Sequence, residues 1–218
     1  MNNTDYIINN QQLFDLKDSM AKVRDTLTRC KLSHAVVSDD ESYLGALSET
    51  DALYFDQKIR LSEVQFALAS FFVQPQNSWF EILQAFAKHQ TNIMPVLDMQ
   101  GKYLGYYELG DFMQIFNNTH FLSSEGIILV VAYPTSNFSM AELTQILESN
   151  GGKINGLFVS QQNNEITEIT VKVSSETIAI SLEALRRYGY VIHSIHEKDS
   201  TLEQLKEHSE YLDKYLNI

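Results

Sequence analysis

The sequence predicts an α+β chain: a duplicated helix-and-hairpin unit, then a split βαββαβ domain, then a terminal helix. Three observations carry that expectation. The first half matches itself at an offset of 60 residues, the order of apolar runs changes near residue 125, and the last 20 residues place leucines along one helical seam.

In the duplicated half, Val36, Tyr43, Leu44, Gly45 and Asp51 align with Val96, Tyr103, Leu104, Gly105 and Asp111. Each copy runs from an apolar segment (Ala35 to Val37; Pro95 to Leu97) through a polar turn (Asp39-Asp40-Glu41; Asp98 to Gly101) into a second apolar segment through Tyr-Leu-Gly. That is the pattern of a strand, a turn and a strand. Upstream, Asp18 and Ser78 read as N-caps of helices carrying Met20, Val23 and Leu27 in one copy and Ile82, Leu83 and Phe86 in the other. A hairpin of this size cannot bury its own face, so the copies, residues 1–60 and 61–122, are expected to pack as one pseudo-symmetric domain.

Residues 125–198 give a different order. Strand Gly126 to Tyr133, helix Met140 to Glu148, strands Ile154 to Ser160 and Glu165 to Val173, helix Thr177 to Tyr188 and strand Tyr190 to His196 make a split βαβ arrangement, closed as a ferredoxin-like sandwich. Gly151-Gly152 and Gly189 follow the two helices where a left-handed C-cap is wanted. In residues 199–218, Leu202, Leu205, Ser209, Leu212 and Leu216 share a seam, which predicts a helix docked on its own domain or on a partner subunit.

Composition narrows the function. A formal charge of -12 repels phosphate backbones and anionic lipid, so nucleic acid and membranes are not expected partners. The only cysteine, Cys30, allows no intrachain disulfide, no zinc-site spacing occurs, and the N-terminus lacks the basic and apolar stretches of a signal peptide. A cytoplasmic protein is the expectation. No Gly-rich phosphate loop, nucleophile elbow or dinucleotide fingerprint is found, and Ser19-Met20-Ala21-Lys22 lacks the companion motifs of penicillin-recognising enzymes. No recognisable catalytic frame is therefore found, and an enzyme is not expected.

The two copies, with Ser48-Glu49-Thr50-Asp51 after Gly45, resemble tandem CBS domains, the Bateman-type module; residues 125–198 resemble an ACT domain. The whole order is similar to that of bacterial acetoin-utilization-type CBS proteins. The resemblance implies a homodimeric ligand sensor that responds to AMP, ADP, ATP or S-adenosylmethionine by changing conformation and passes its signal to a target protein. By the same resemblance Asp51 holds ribose hydroxyls, Ser48 reaches phosphate and His34 lies where adenine approaches. These roles suit the groups: a carboxylate accepts from a vicinal diol, and a hydroxyl beside helix N–H groups suits an anion. In the second copy Glu108 replaces the hydroxyl residue and would repel phosphate unless a cation intervened, so the site around Asp111 is expected to be empty, adenosine-specific or metal-bridged. The turn Pro134-Thr135-Ser136-Asn137-Phe138 lacks the glycine of amino-acid-binding ACT domains. Both departures support a second reading, a ligand-free interaction module that dimerises and binds another protein. Against any site, Ser48, Asp51 and Asp111 also read as helix caps, and Phe71, Phe72 and Trp79 as core or interface. His193 and His196, three apart on a strand, make a poor chelate.

Overall fold

The structure, a computed structural model, describes residues 3–9, 13–39 and 42–196 and divides the chain into two compact units, Met1–Phe116 and Asn117–Ile218. The helix expected over residues 199–218 lies outside the described residues.

The first unit contains β1 (Leu13–Asp15), α1 (Met20–Cys30), β2 (His34–Asp39), β3 (Ser42–Ser48), α2 (Glu49–Tyr54), α3 (Trp79–His89), β4 (Ile93–Leu97), β5 (Tyr103–Glu108) and α4 (Leu109–Asn117). Helix α1 buries Met20, Val23 and Leu27 on one stripe; α3 buries Ile82 and Phe86. Both end on a left-handed residue that is not glycine, Lys31 at φ 55° and Gln90 at φ 48°. The cap of α1 corrects the sequence expectation. Ser19, not Asp18, accepts the Lys22 amide, because the Asp18 carboxylate already accepts the Asp15 amide at 3.1 Å and pairs with the Lys22 ammonium at 2.7 Å. Ser78 caps α3 as expected, in a capping box with Glu81.

The duplication is real in the fold, but its offset is not uniform. Ser19 corresponds to Ser78 and Lys31 to Gln90, an offset of 59 that continues through the first strand of each hairpin. The register pairs Val37 with Gly45 and Val96 with Gly105, so Val37, not Val36, is the counterpart of Val96. The extra residue sits in the second hairpin's turn, and only from Tyr43 and Tyr103 onward is the offset 60.

The repeats exchange their leading segments. Ile8 makes reciprocal backbone bonds of 2.9 Å with Tyr106, and Ala69 does the same with Ala46, so each leader first pairs with the other repeat's second strand. Each then crosses back: β1 runs parallel to β2, with Phe14 opposite Val37, and Val73 bridges in parallel to Val96. The crossing explains the duplicated glycine. A Cβ on Gly105 would meet the Ile8 carbonyl oxygen at 2.5 Å, and one on Gly45 would meet Leu68 Cβ at 2.9 Å. The two buried clusters also interlock, since Ile93 and Tyr106 join the core of the first repeat and Ala46 that of the second.

The second unit contains α5 (His120–Ser123), β6 (Ile127–Pro134), α6 (Met140–Ser149), β7 (Lys153–Gln162), β8 (Ile166–Ser174), α7 (Ile178–Arg187) and β9 (Val191–His196). Its sheet order is β7-β8-β6-β9 with every pair antiparallel, the split βαβ arrangement. Leu129, Val131, Ile169, Val171 and Val173 from the sheet pack with Leu143 and Leu147 of α6 and with Leu182 and Leu185 of α7. Among the described residues, no helix is long and apolar enough to cross a membrane.

Candidate functional site

The duplicated Tyr-Leu-Gly places its tyrosines together at the seam of the first unit. Tyr43 and Tyr103 stack with ring centroids 6.5 Å apart, and the Tyr43 hydroxyl donates to the Phe71 carbonyl at 2.8 Å. That bond fixes the segment leading out of the first repeat against β3 and holds Phe71 at 4% exposure. Burial pushes the Tyr43 phenol up to about 12 despite the bond to Phe71.

Around Phe71 the structure gathers residues distant in sequence. His34, first in β2, meets the Phe71 ring edge-on at 5.4 Å, and His89, last in α3, stacks parallel to it at 4.6 Å. His34 is also the direct strand partner of Ser48. The His34 imidazole is held below its ordinary value, first by burial and further by His89, while the Asp51 carboxylate pulls the other way. Burial, followed by Lys88, lowers His89 as well.

Ser48 ends β3 and caps α2. Its Oγ accepts the Asp51 amide at 2.9 Å and donates to Asp51 Oδ2 at 2.7 Å. A six-residue helix is too short to persist alone, and α2 buries only Ala52. Arg24 of α1 supports its other end, donating to the carbonyls of Ala52 at 2.7 Å, Leu53 at 2.8 Å and Phe55. Asp51 is thereby presented, exposed, on a helix start braced at both ends.

A hydrogen-bonded clasp joins the repeats beside His34. Ser33 and Asn92, equivalent positions 59 apart, bond reciprocally: the Ser33 amide donates to Asn92 Oδ1 and the Asn92 amide to Ser33 Oγ, both at 2.9 Å. Asn92 Nδ2 donates to the Lys31 carbonyl at 2.8 Å. A cavity of about 310 Å³ opens here, with Lys31, Ser33, Glu49 and Asn92 in its lining.

The equivalent place in the second repeat has different chemistry. Ile93 stands opposite Glu108 as His34 stands opposite Ser48, and Cys30 ends α1 as His89 ends α3. Asp111 lies half-buried in the first turn of α4. Burial raises the Tyr106 phenol, and Glu108 and Cys30 add to it, so a carboxylate and a thiol sit where the first repeat has a hydroxyl and an imidazole.

The structure thus brings His34, Ser48 and Asp51 together and puts Glu108 and Asp111 at the symmetry-related position. Phe71 and His89 were missed as partners of His34. Phe71 carries no motif, and its approach depends on the crossing at Ala69, a pairing without local sequence signal. His193 pairs with Glu168 at 2.8 Å, and the His196 side chain is outside the described residues. Among the described residues no group of three His, Cys, Asp or Glu could hold a metal ion. In the second unit the glycine-free turn is occupied by its own contacts: Thr135 donates through Oγ1 to the Asn163 carbonyl at 2.9 Å and through its amide to the Glu165 carbonyl at 2.9 Å.

No family model matches this chain, and no curated protein matches it. Solved structures do. A CBS domain pair/ACT domain protein from Thermotoga maritima is 18% identical, with a TM-score of 0.48 over 53% of this chain and 96% of that one. The CBS domains of a transcriptional regulator from Streptococcus pneumoniae are 15% identical, with a TM-score of 0.46 over 52% and 98%. CBSX2, solved in complex with AMP, is 17% identical, with a TM-score of 0.42 over 51% and 93%. These neighbours are all CBS-domain proteins, each matching about half of this chain.

Proposed function

We propose that this chain is a ligand-sensing regulatory protein of the tandem CBS kind, not an enzyme, and that it binds an adenine nucleotide or adenosyl compound beside Ser48 and Asp51. The observation that carries the reading is the convergence of Ser48, Asp51 and His34 from the first repeat with Phe71 and His89 from the second. This group has an exposed carboxylate for a ribose diol, a hydroxyl beside amide donors, and aromatic and imidazole rings for a base. Because the group straddles two repeats, a ligand that fits one arrangement of them better than another shifts the balance between arrangements. The second repeat, with Glu108 and Cys30 at the matching positions, is read as the site that does not take phosphate. The second unit is read as ACT-like and as the part that pairs two copies, and the output as a separate target protein in the cytoplasm.

The test is a thermal-shift series with AMP, ADP, ATP and S-adenosylmethionine, AMP first. A ligand that binds only the folded state raises the melting temperature, by the equivalent of about 2.7 kcal/mol at 100 times its Kd. One of these compounds is expected to raise it, with the shift lost in Asp51→Ala and kept in Asp111→Ala. The absence of a shift with all four at millimolar concentration would replace this reading by a ligand-free interaction module. One feature favours that second reading: Ser48 and Asp51 already satisfy each other as a helix cap.

A further inference from the structure

Ser33 Oγ lies 3.0 Å from His34 Nδ1, 3.1 Å from Thr91 Oγ1 and 2.9 Å from the Asn92 amide. Thr91 Oγ1 in turn donates to the Ile93 carbonyl at 2.7 Å and accepts the Ile93 amide at 3.2 Å. A hydroxyl has one proton and two acceptor sites, which makes this network countable. The Thr91 proton is committed to Ile93, so the Ser33–Thr91 contact needs the Ser33 proton. Ser33 Oγ then has only acceptor sites left; one takes the Asn92 amide, and the other can be filled only by a proton on His34 Nδ1. With Nδ1 unprotonated, Ser33 would have to serve both Thr91 and His34 with one proton, and one close contact would lose its hydrogen bond. Thr91 is 4% exposed, so water does not readily repair that loss.

We propose that the clasp between the repeats fixes His34 as the Nδ1–H tautomer, making its Nε2 a hydrogen-bond acceptor that selects a ligand presenting an N–H donor, such as a 6-aminopurine over a purine without the amino group. The donor preference rests on the nucleotide reading above; the tautomer does not. Nε2 has no hydrogen-bond partner among the described residues, while the ring is positioned edge-on to Phe71. The titratable groups acting on His34 are Asp51 of α2 and His89 of α3, and burial outweighs the carboxylate, which keeps the ring neutral at neutral pH, where tautomer decides polarity. An acceptor left unpaired in the complex penalises a ligand that lacks the donor.

Two measurements on the full chain test this. The first is the nitrogen-15 spectrum of His34 without ligand at pH 7.5. A pyrrole-type Nδ1 and a pyridine-type Nε2 are expected, with that preference lost in Ser33→Ala and weakened in Thr91→Val, whose unchanged circular dichroism would show that the fold persists. A pyridine-type Nδ1 in the unaltered protein overturns the tautomer assignment. The second compares AMP with purine riboside 5′-monophosphate by calorimetry. AMP is expected to bind about ten-fold tighter, with the ratio falling toward one in His34→Phe. Equal binding of the two compounds overturns the donor preference while leaving the nucleotide reading in place. Binding of neither overturns the nucleotide reading and the donor preference with it, and the spectrum alone then decides the tautomer.

Discussion

At position 34 a histidine stands in a strand whose next three residues, Ala35, Val36 and Val37, are almost wholly buried. Its place at the start of that strand was legible in the sequence, as was its adjacency to Ser33, but its other neighbours were not, because Phe71, His89 and, through Ser33, Thr91 come from distant parts of the chain. Ser48 and Asp51 were legible for the opposite reason: their bond spans three residues and belongs to one helix turn. The environment of His34 has a consequence for stability. Its folded-state value is depressed, mainly by burial, below the ordinary 6.5 of the unfolded chain. Between those two values the unfolded state binds more protons, so stability is full above about pH 6.5, falls as pH drops through the window below it, and levels off beneath the folded-state value. His89 is shifted the same way, first by burial, and contributes with the same sign. Urea midpoints measured from pH 7.5 to 5 are expected to fall with acidification, and the fall should be shallower in His34→Gln. An equal slope in the variant would mean that other groups carry the acid sensitivity.

Among the elements, the hairpins were readable and the crossings were not. An apolar run on each side of a polar turn announces two strands from one stretch of sequence, and Ser78 ahead of Ile82, Leu83 and Phe86 announces a helix start. The pairing of Ile8 with Tyr106, nearly a hundred residues away, leaves no mark except the glycine it requires. The repeat of Tyr-Leu-Gly was visible, while its physical cause, a backbone passing over Gly45 and Gly105, belongs to tertiary structure. The uniform offset of 60 failed at the same level, since one residue added to a turn changes an alignment without changing the fold. Glycine substitutions separate the two roles. Gly105 has φ 142°, and a Cβ there would stand 2.5 Å from the Ile8 carbonyl oxygen, whereas a Cβ on Gly110 in α4 would meet nothing within 4 Å. Gly105→Ala is expected to lose about 1–3 kcal/mol in chemical denaturation, through strain and displacement of the leading segment. Gly110→Ala should gain about 0.5–1 kcal/mol, because alanine is the better helix former and meets no obstruction. Similar losses at both positions would show that the crossing does not constrain Gly105.

At the scale of the whole molecule, the change of pattern near residue 125 was legible because apolar spacing differs on its two sides, although the structural division falls earlier, after Phe116. The buried clusters respect that division. Among the described residues, two interlocked clusters lie in the first unit, built from both repeats, and one cluster lies in the second. Cooperativity follows shared burial: the repeats exchange strands and core residues and so should melt together, while the sandwich of β6 to β9 has its own hydrophobic closure. Differential scanning calorimetry of the full chain is therefore expected to show two transitions, not one and not three. Since Ser48, Asp51, His34, Phe71 and His89 all belong to the first unit, a nucleotide bound among them stabilises only the native state of that unit. AMP should raise one transition and leave the other in place, and Asp51→Ala should abolish the movement without merging the peaks. A single transition that moves as a whole would show that the two units unfold as one cooperative body, and a ligand signal arising in the repeats would then reach the sandwich through their common stability.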